Sequence, residues 1–494
     1  MDAVRRCTII AVAIAAGCAV PRAGRSPAEG GPQWIEIRTA HYTLQTDLSP
    51  DDARETALYL ERTRSALLAA AWPRLPPPED NIKAFVFRHD LEFQQLFGQQ
   101  FAGLFVRNDF TQFVLFYSRP ANAGWFSERI GASLKHELIH HLSAYFLRRQ
   151  PRWFSEGLAS FLETLEISDD GATAVVGYPN PRFQGRRPAR LQDVLAWTER
   201  DPEDIDMNRL YAGAWLLVHW MINDQPGKLA DFEQRLFKGE EGNSAWRNAF
   251  AGTSLDRLDE ELSLYREHGT YRTFKVTLPP VDTIPPGRIM QDSEVHAIRA
   301  YLVLQTMWHF EDEAVDRLQF ARKEADEALR QDPGNLLALL SMSDLQPQLG
   351  ETLARRAVAA HPESDVAWLM LAEALKSQGH LAEELEDALK KAISLAPQNA
   401  RAVNTLAGLY ASQNRFLAAL PLSKRALQLA PSSPAAWDTY AAVALGLKDC
   451  AEAVGAEQRA VELIPERLRK SGSDYYSQRL KSLRTGCQSS DRKE

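Results

Sequence analysis

Two hydrophobic periods divide the chain. Apolar residues alternate with polar ones over 34–38 and 41–46, as a half-buried strand requires, and the spacing turns helical over 51–72. The stretches 82–87, 103–106 and 112–117 alternate or run apolar, which predicts a small mixed sheet. From 126 to about 268 the pattern is chiefly helical, with a long helix over 126–146, a break at Pro151-Arg152 and a second helix over 153–164. Leu278-Pro279-Pro280 and Ile284-Pro285-Pro286-Gly287 then interrupt it. Consecutive prolines resist both helix and central strand, so a domain boundary is expected there.

Beyond that boundary the spacing repeats. Pro333, Pro362, Pro397, Pro431 and Pro465 recur at intervals of 29, 35, 34 and 34 residues, each after an alanine-rich helical stretch. The interval resembles that of tetratricopeptide (TPR) repeats, whose helix pairs stack because one pair cannot bury its apolar side alone. In the unit ending at Pro431, Leu406, Ala407, Tyr410, Ala419 and Ala426 take the small and apolar packing positions; in the next, Trp437, Ala441, Ala453 and Ala460 do. The unit with Trp368 and Leu371 fits as well, whereas 293–361 is degenerate. Such an array implies a peptide or protein partner on its concave face, the alternative being a spacer or a lid over the preceding domain.

A metal-binding pattern lies in the helical stretch, at His136-Glu137-Leu138-Ile139-His140. Residues four apart on a helix differ by about 40° of rotation, so His136 and His140 face the same way and can hold one ion. Zinc with one position left open needs a third protein ligand, and Glu156 on the returning helix is placed to supply it. Glu137 is then free to act as the base. The five-residue pattern can arise on any helix, but the turn and the second motif, Trp153-Phe154-Ser155-Glu156-Gly157-Leu158-Ala159, make chance a weak explanation. His141 lies about 140° round the helix from His136 and is expected to flank the site. His219 is expected to pack near Trp215 and Trp220.

Lys135-His136-Glu137-Leu138-Ile139-His140, followed by Pro151-Arg152-Trp153-Phe154-Ser155-Glu156-Gly157-Leu158-Ala159, resembles the gluzincin metallopeptidases, and within them the peptidase MA-like group related to aminopeptidases. The resemblance covers roughly 34–267. It implies an α+β zincin-like domain, a small mixed sheet plus a helical lobe, with one zinc ion on His136, His140 and Glu156. Glu137 would be general base and then general acid in peptide hydrolysis, helped by a metal that acidifies water and polarises the substrate carbonyl. Tyr211-Ala212-Gly213-Ala214 resembles the tyrosine-x-x-glycine segment that supplies the oxyanion donor, although the glycine comes one position early. A tyrosine packing at a helix start is the alternative for Tyr211. Fifteen residues separate His140 from Glu156, fewer than in the best-known aminopeptidase relatives, and the glycine-alanine-methionine-glutamate-asparagine substrate motif is missing. Exo- and endopeptidase action both stay open. An edge strand could hold an extended peptide, with 103–106 as the candidate, though an interior strand fits that stretch equally.

Composition narrows the function classes further. With 494 residues and 45% hydrophobic content the chain is too long for one ordinary domain, and its net charge of −8 leaves no footprint for nucleic acid. Arg5-Arg6 ahead of an apolar run over 7–20 fits a secretory signal. Ala15-Ala16-Gly17-Cys18 resembles the lipobox of bacterial lipoproteins, with alanine where leucine is commonest. Cys18 would then be the lipidated first residue of a periplasmic or cell-envelope protein tethered to the membrane; cleavage between Ala19 and Gly24 and secretion is the alternative. Of four cysteines two lie in this leader, and Cys450 and Cys487 are left either to pair or to stay free.

The expected organisation is a signal peptide at 1–17, a tether at 18–33, a metallopeptidase domain at 34–268 that folds and keeps its zinc alone, a proline-rich linker at 269–292 and TPR repeats at 293–494. The leading function is an exported zinc metallopeptidase whose repeats bind a protein partner or substrate. Its alternative is a peptidase-fold scaffold with little or no turnover.

Overall fold

The computed structural model describes residues 24–490 apart from 79–80, 99–102, 108–111, 120–127, 148–149, 198–204, 270, 308–313, 380–381 and 465–473. The signal peptide expected at 1–17, Cys18 and Pro465 lie outside the described residues. Among the described residues no helix is long and apolar enough to cross a membrane.

The strands are β1 (Ile35–Arg38), β2 (Tyr42–Thr46), β3 (Ile82–His89), β4 (Gly103–Arg107), β5 (Gln112–Arg119), β6 (Glu166–Ile167), β7 (Thr173–Val176), β8 (Phe274–Thr277) and β9 (Arg288–Ile289). Six of them form a mixed sheet in the order β4-β5-β3-β2-β1-β9, parallel across β2-β3-β5 and antiparallel elsewhere. Side chains alternate across a strand, and here both faces are covered. Ala84, Val86, Val114 and Phe116 join one core, with Leu60 and Leu67 of α1 (Pro50–Ala71). Phe85, Phe87, Phe113 and Leu115 join another, with Phe93 and Phe97 of α2 (Asp90–Phe97). Burial on both sides is why 82–87 reads as a nearly unbroken apolar run. Helix α1 starts where the sequence signals it: Ser49 caps Asp52 N at 3.2 Å, Pro50 opens the first turn, and Asp51 and Asp52 follow.

A helical lobe follows, made of α3 (Glu128–Phe146), α4 (Arg152–Leu162), α5 (Leu191–Ala196), α6 (Met207–Asp224), α7 (Pro226–Phe237), α8 (Gly242–Ala249) and α9 (Leu255–His268). Within it β6, β7 and β8 make a small antiparallel sheet that the helical reading of 126–268 did not anticipate.

The proline-rich stretch is not a free linker. Its β8 pairs with β7 from Thr173↔Thr277 to Val176↔Phe274, and β9 closes the edge of the large sheet against β1. The prolines fall between two short strands, where no ladder hydrogen bond is demanded of them. Immediately after it, α10 (Asp292–Gln305) lays Val295, Ile298, Tyr301 and Leu302 into the apolar cluster of Trp34, Phe85 and Phe113. The repeats therefore begin on the outer face of the sheet. Helix α10 serves two neighbours: Val295, Ile298, Tyr301 and Leu302 pack with the sheet, while the small Ala297 joins Ala328 and Ala338 of the following helices.

The repeat half continues with α11 (Ala314–Gln331), α12 (Leu336–Leu345), α13 (Gly350–Ala360), α14 (Asp365–Gln378), α15 (Ala382–Leu395), α16 (Ala400–Ser412), α17 (Phe416–Leu429), α18 (Pro434–Gly446) and α19 (Cys450–Leu463), then a terminal helix, Asp474–Ser490. Two residues after each of Pro333, Pro362, Pro397 and Pro431 stands an N-cap, Asn335, Ser364, Asn399 or Ser433, whose side chain accepts from the backbone three residues on. Trp368 and Trp437 each donate Nε1–H to the carbonyl of the proline six residues back, at 2.8 Å in both cases. Ala407, Ala419, Ala426, Ala441, Ala453 and Ala460 are fully buried at the packing positions read from the sequence. This part of the chain is a TPR-type helical solenoid. A Cys450–Cys487 disulfide ties the terminal helix to α19.

Candidate metal centre

Helix α3 buries Leu134, Leu138, Ile139, Leu142 and Phe146, one apolar stripe at helical spacing, and so turns His136, Glu137 and His140 towards α4. Helix α4 follows its N-cap residue Pro151 and is anchored by Trp153, Phe154, Leu158 and Phe161, all buried. Gly157 sets how close it comes to α6: a Cβ there would lie 2.5 Å from Ala214 O and 2.7 Å from Val218 Cγ2. No side chain fits, and so Glu156, one residue earlier, is placed by backbone contact between helices.

His136, His140 and Glu156 meet, each offering one ligand atom within 4.8 Å of the others. Both imidazoles point Nε2 at the same carboxylate oxygen, Glu156 Oε2, at 3.3 Å from His136 and 3.4 Å from His140. Their other nitrogens are taken: Nδ1 of His136 lies 2.7 Å from Glu163 Oε2, and Nδ1 of His140 lies 2.9 Å from Ser155 Oγ. Fixing Nδ1 in this way presents Nε2 as the coordinating atom, the arrangement a zinc ligand needs. Two imidazoles and one carboxylate are a donor set suited to zinc, and the residues present fit that ion.

The field of the site favours a cation. Burial lowers the proton affinity of His136, but hydrogen bonds to Glu156 and Glu163 outweigh it and hold its pKa up at about 10. Burial acts to raise the Glu156 carboxyl, and the neighbouring His140 and His136 overcome it and keep Glu156 well below the usual carboxylate range. Glu137 is raised by burial, against the opposing charge of His140 and His136.

Glu163, at the C-terminal end of α4, is a candidate site residue that the sequence reading missed, and its own support is visible. Asn180, itself buried, donates Nδ2–H to Glu163 Oε1 at 2.6 Å and to Ser160 O at 2.8 Å. A signal existed: Glu156 and Glu163 are seven residues apart, which returns to nearly the same helix face. We expect Glu163→Gln to weaken zinc binding by about 10–100-fold, measured by competition with a chromophoric chelator. Equal affinity in the two proteins would reduce Glu163 to a packing residue.

The remaining candidates separate. His141 is buried against Phe105 of β4, ring centroids 5.6 Å apart, and is not one of the three candidate ligand residues. His219 packs between Trp215 and Tyr271, and its Nδ1 lies 2.7 Å from Tyr265 Oη. Tyr211, on the first turns of α6, comes to the edge of the centre. Its ring lies 5.1 Å from Trp197 and its hydroxyl bonds with Arg152, whose Nε is 3.9 Å from Glu156 Oε1. Burial, then the charge of Glu156, pushes the Tyr211 hydroxyl up to about 12, so it stays a donor. Gly213, two residues on, is a packing glycine, since a Cβ would meet Val194 Cγ2 at 2.6 Å.

No family model and no curated protein matches the sequence. Among solved structures, similar chains include MamA, with 21% identity over 31% of this chain and 92% of that one, TM-score 0.26. A thermophilic TPR protein of Thermus thermophilus has 21% identity over 39% and 98% of the two chains, TM-score 0.31. The pilF protein of Pseudomonas aeruginosa has 17% identity over 41% and 100%, TM-score 0.31. The repeat assignment rests on the caps, turns and buried alanines described above.

Proposed function

We propose that this chain is a zinc-dependent metallopeptidase whose repeat half presents a surface for a protein partner or substrate. The convergence of His136 Nε2, His140 Nε2 and Glu156 Oε2, with both Nδ1 atoms held elsewhere, carries the reading. His136, His140 and Glu156 would hold the ion. Zinc bound there supplies a Lewis acid that polarises a peptide carbonyl and acidifies water. Glu137 lies in the same helical turn, belongs to no ligand set and is free to take a proton and deliver it to the leaving amine. Tyr211, bonded to Arg152 at the edge of the centre, is the candidate donor for charge developing on the carbonyl oxygen. Strand β4, beside α3, is an edge strand of the sheet among the described residues, and an extended peptide can pair along such an edge. The reading includes export, and the Cys450–Cys487 disulfide supports an oxidising compartment.

A second reading, a metal-stabilised scaffold working through its repeats, is favoured by the length of the solenoid from α10 to α19. Metal analysis of the purified full chain and cleavage of a complex peptide library separate the two. Wild type is expected to hold about one zinc per chain, and His136→Ala, His140→Ala and Glu156→Ala to retain less than about a tenth of it. Full zinc in both histidine variants would sink the metal assignment. Stoichiometric zinc with no cleaved peptide would leave the scaffold.

A further inference from the structure

Between β7 and α5 the chain runs Gly177-Tyr178-Pro179-Asn180-Pro181-Arg182-Phe183-Gln184-Gly185-Arg186-Arg187-Pro188-Ala189-Arg190: four arginines and no acidic residue, in a protein whose net charge is −8. This segment is fastened to the metal centre. Asn180 joins Glu163 and Ser160 through Nδ2, and its Oδ1 accepts Arg182 N at 3.0 Å, so the backbone of Arg182 is set by the side chain that also supports His136 through Glu163. The Arg182 guanidinium then lies over the Tyr211 ring, 4.9 Å from its centroid. Tyr211 packs on Trp197, Trp197 is covered by the Arg152 guanidinium at 5.0 Å, and Arg152 reaches Glu156. A contiguous strip, edge-on between Tyr211 and Trp197, thus leads from a candidate zinc ligand out to solvent and ends in a cation. Arg152 is engaged by Glu156 and Tyr211, whereas Arg182 is exposed and, among the described residues, forms no ion pair with a carboxylate. Stacking orients a guanidinium and leaves its planar fork of N–H donors available, the geometry that binds a carboxylate through two hydrogen bonds.

We propose that Arg182 is a substrate-binding residue that receives a carboxylate of the peptide, so that substrates carry a negative charge close to the bond presented at the metal. The carboxylate is the free C-terminus or an acidic side chain. The proposal rests on the metallopeptidase reading and deepens it.

The test uses full-length, zinc-loaded Glu137→Gln protein, which holds peptides without consuming them. Random hexapeptide pools are offered in pairs that differ only in a free or amidated C-terminus, or in a fixed Glu or Gln at one position, and bound peptides are quantified by mass spectrometry. Enrichment of the carboxylate-bearing member by about tenfold in at least one pair is expected, the acid/amide pair identifying the terminus and the Glu/Gln pairs a side chain. Adding Arg182→Gln should abolish the enrichment at unchanged zinc content and circular dichroism, and Arg182→Lys should restore part of it. Equal binding within every pair, or enrichment that survives Arg182→Gln, overturns the proposal. An Arg182-dependent enrichment in a wild type that cleaves nothing supports the subsite and counts against the peptidase reading. Cleavage without preference within any pair does the reverse.

Discussion

Glu137→Gln is expected to fold, to keep about one zinc per chain, and to hydrolyse peptides at least about a thousandfold more slowly than wild type. Amide and carboxylate have nearly the same shape, so the change removes a proton acceptor and little else. Helix α3 is anchored by Leu134, Leu138, Ile139 and Leu142 on its opposite side, which this substitution leaves intact. The three candidate ligand residues and their partners Glu163 and Ser155 also remain. Turnover and zinc content on the same preparation decide the matter. A variant within tenfold of wild-type turnover would remove Glu137 from the chemistry, and one that loses its zinc would place it among the ligands.

A chain ended after Glu267 is expected to aggregate or to melt without a cooperative transition, against the separability that the proline-rich stretch suggested. The cut removes β8 from the small sheet, β9 from the large one, and helix α10 from the face formed by Trp34, Phe85 and Phe113. It also breaks the bonds of Arg299 to Glu92, Nη2 to Oε1 at 2.7 Å and Nε to Oε1 at 3.0 Å. Each large apolar side chain returned to water costs about 1.5–3 kcal/mol, and several are uncovered at once. A domain is commonly stable by about 5–15 kcal/mol in total, so the loss is decisive. A chain ended after Gln331 keeps β8, β9, α10 and α11 and is expected to melt cooperatively. Size-exclusion chromatography and thermal melts compare the two; a monomeric 24–267 fragment melting within a few degrees of the full chain would show that the shared core contributes little.

Local rules account for what could be read directly. The four-residue spacing of His136 and His140 is a property of any α-helix, and the repeating proline followed two residues later by Asn or Ser is a turn with its cap, so both are legible without knowing what lies around them. The buried alanines of the last repeats belong to the same class, because each repeat packs chiefly on its neighbour in sequence.

Other features depend on which surfaces meet. The nearly unbroken apolar runs of β3 and β5 announce burial on both sides but cannot name the covers, and only the assembled chain shows that α1 takes one face and α2 with α10, the latter more than two hundred residues after β3, the other. The linker reading failed for that reason: proline removes a backbone donor at its own position and says nothing about pairing on either side of it. Glu163 and Asn180 became visible once the crossing of α3 and α4 brought a carboxylate to His136 Nδ1 and a loop amide to that carboxylate. The choice of Cys450 and Cys487 as bonded rather than free likewise waited for the terminal helix to return to α19. Caps, repeat turns and the spacing of the two histidines follow from backbone geometry within a few residues and can be read from one segment, whereas the partner each segment meets depends on the shape and burial of two distant surfaces and emerges only when the chain is folded.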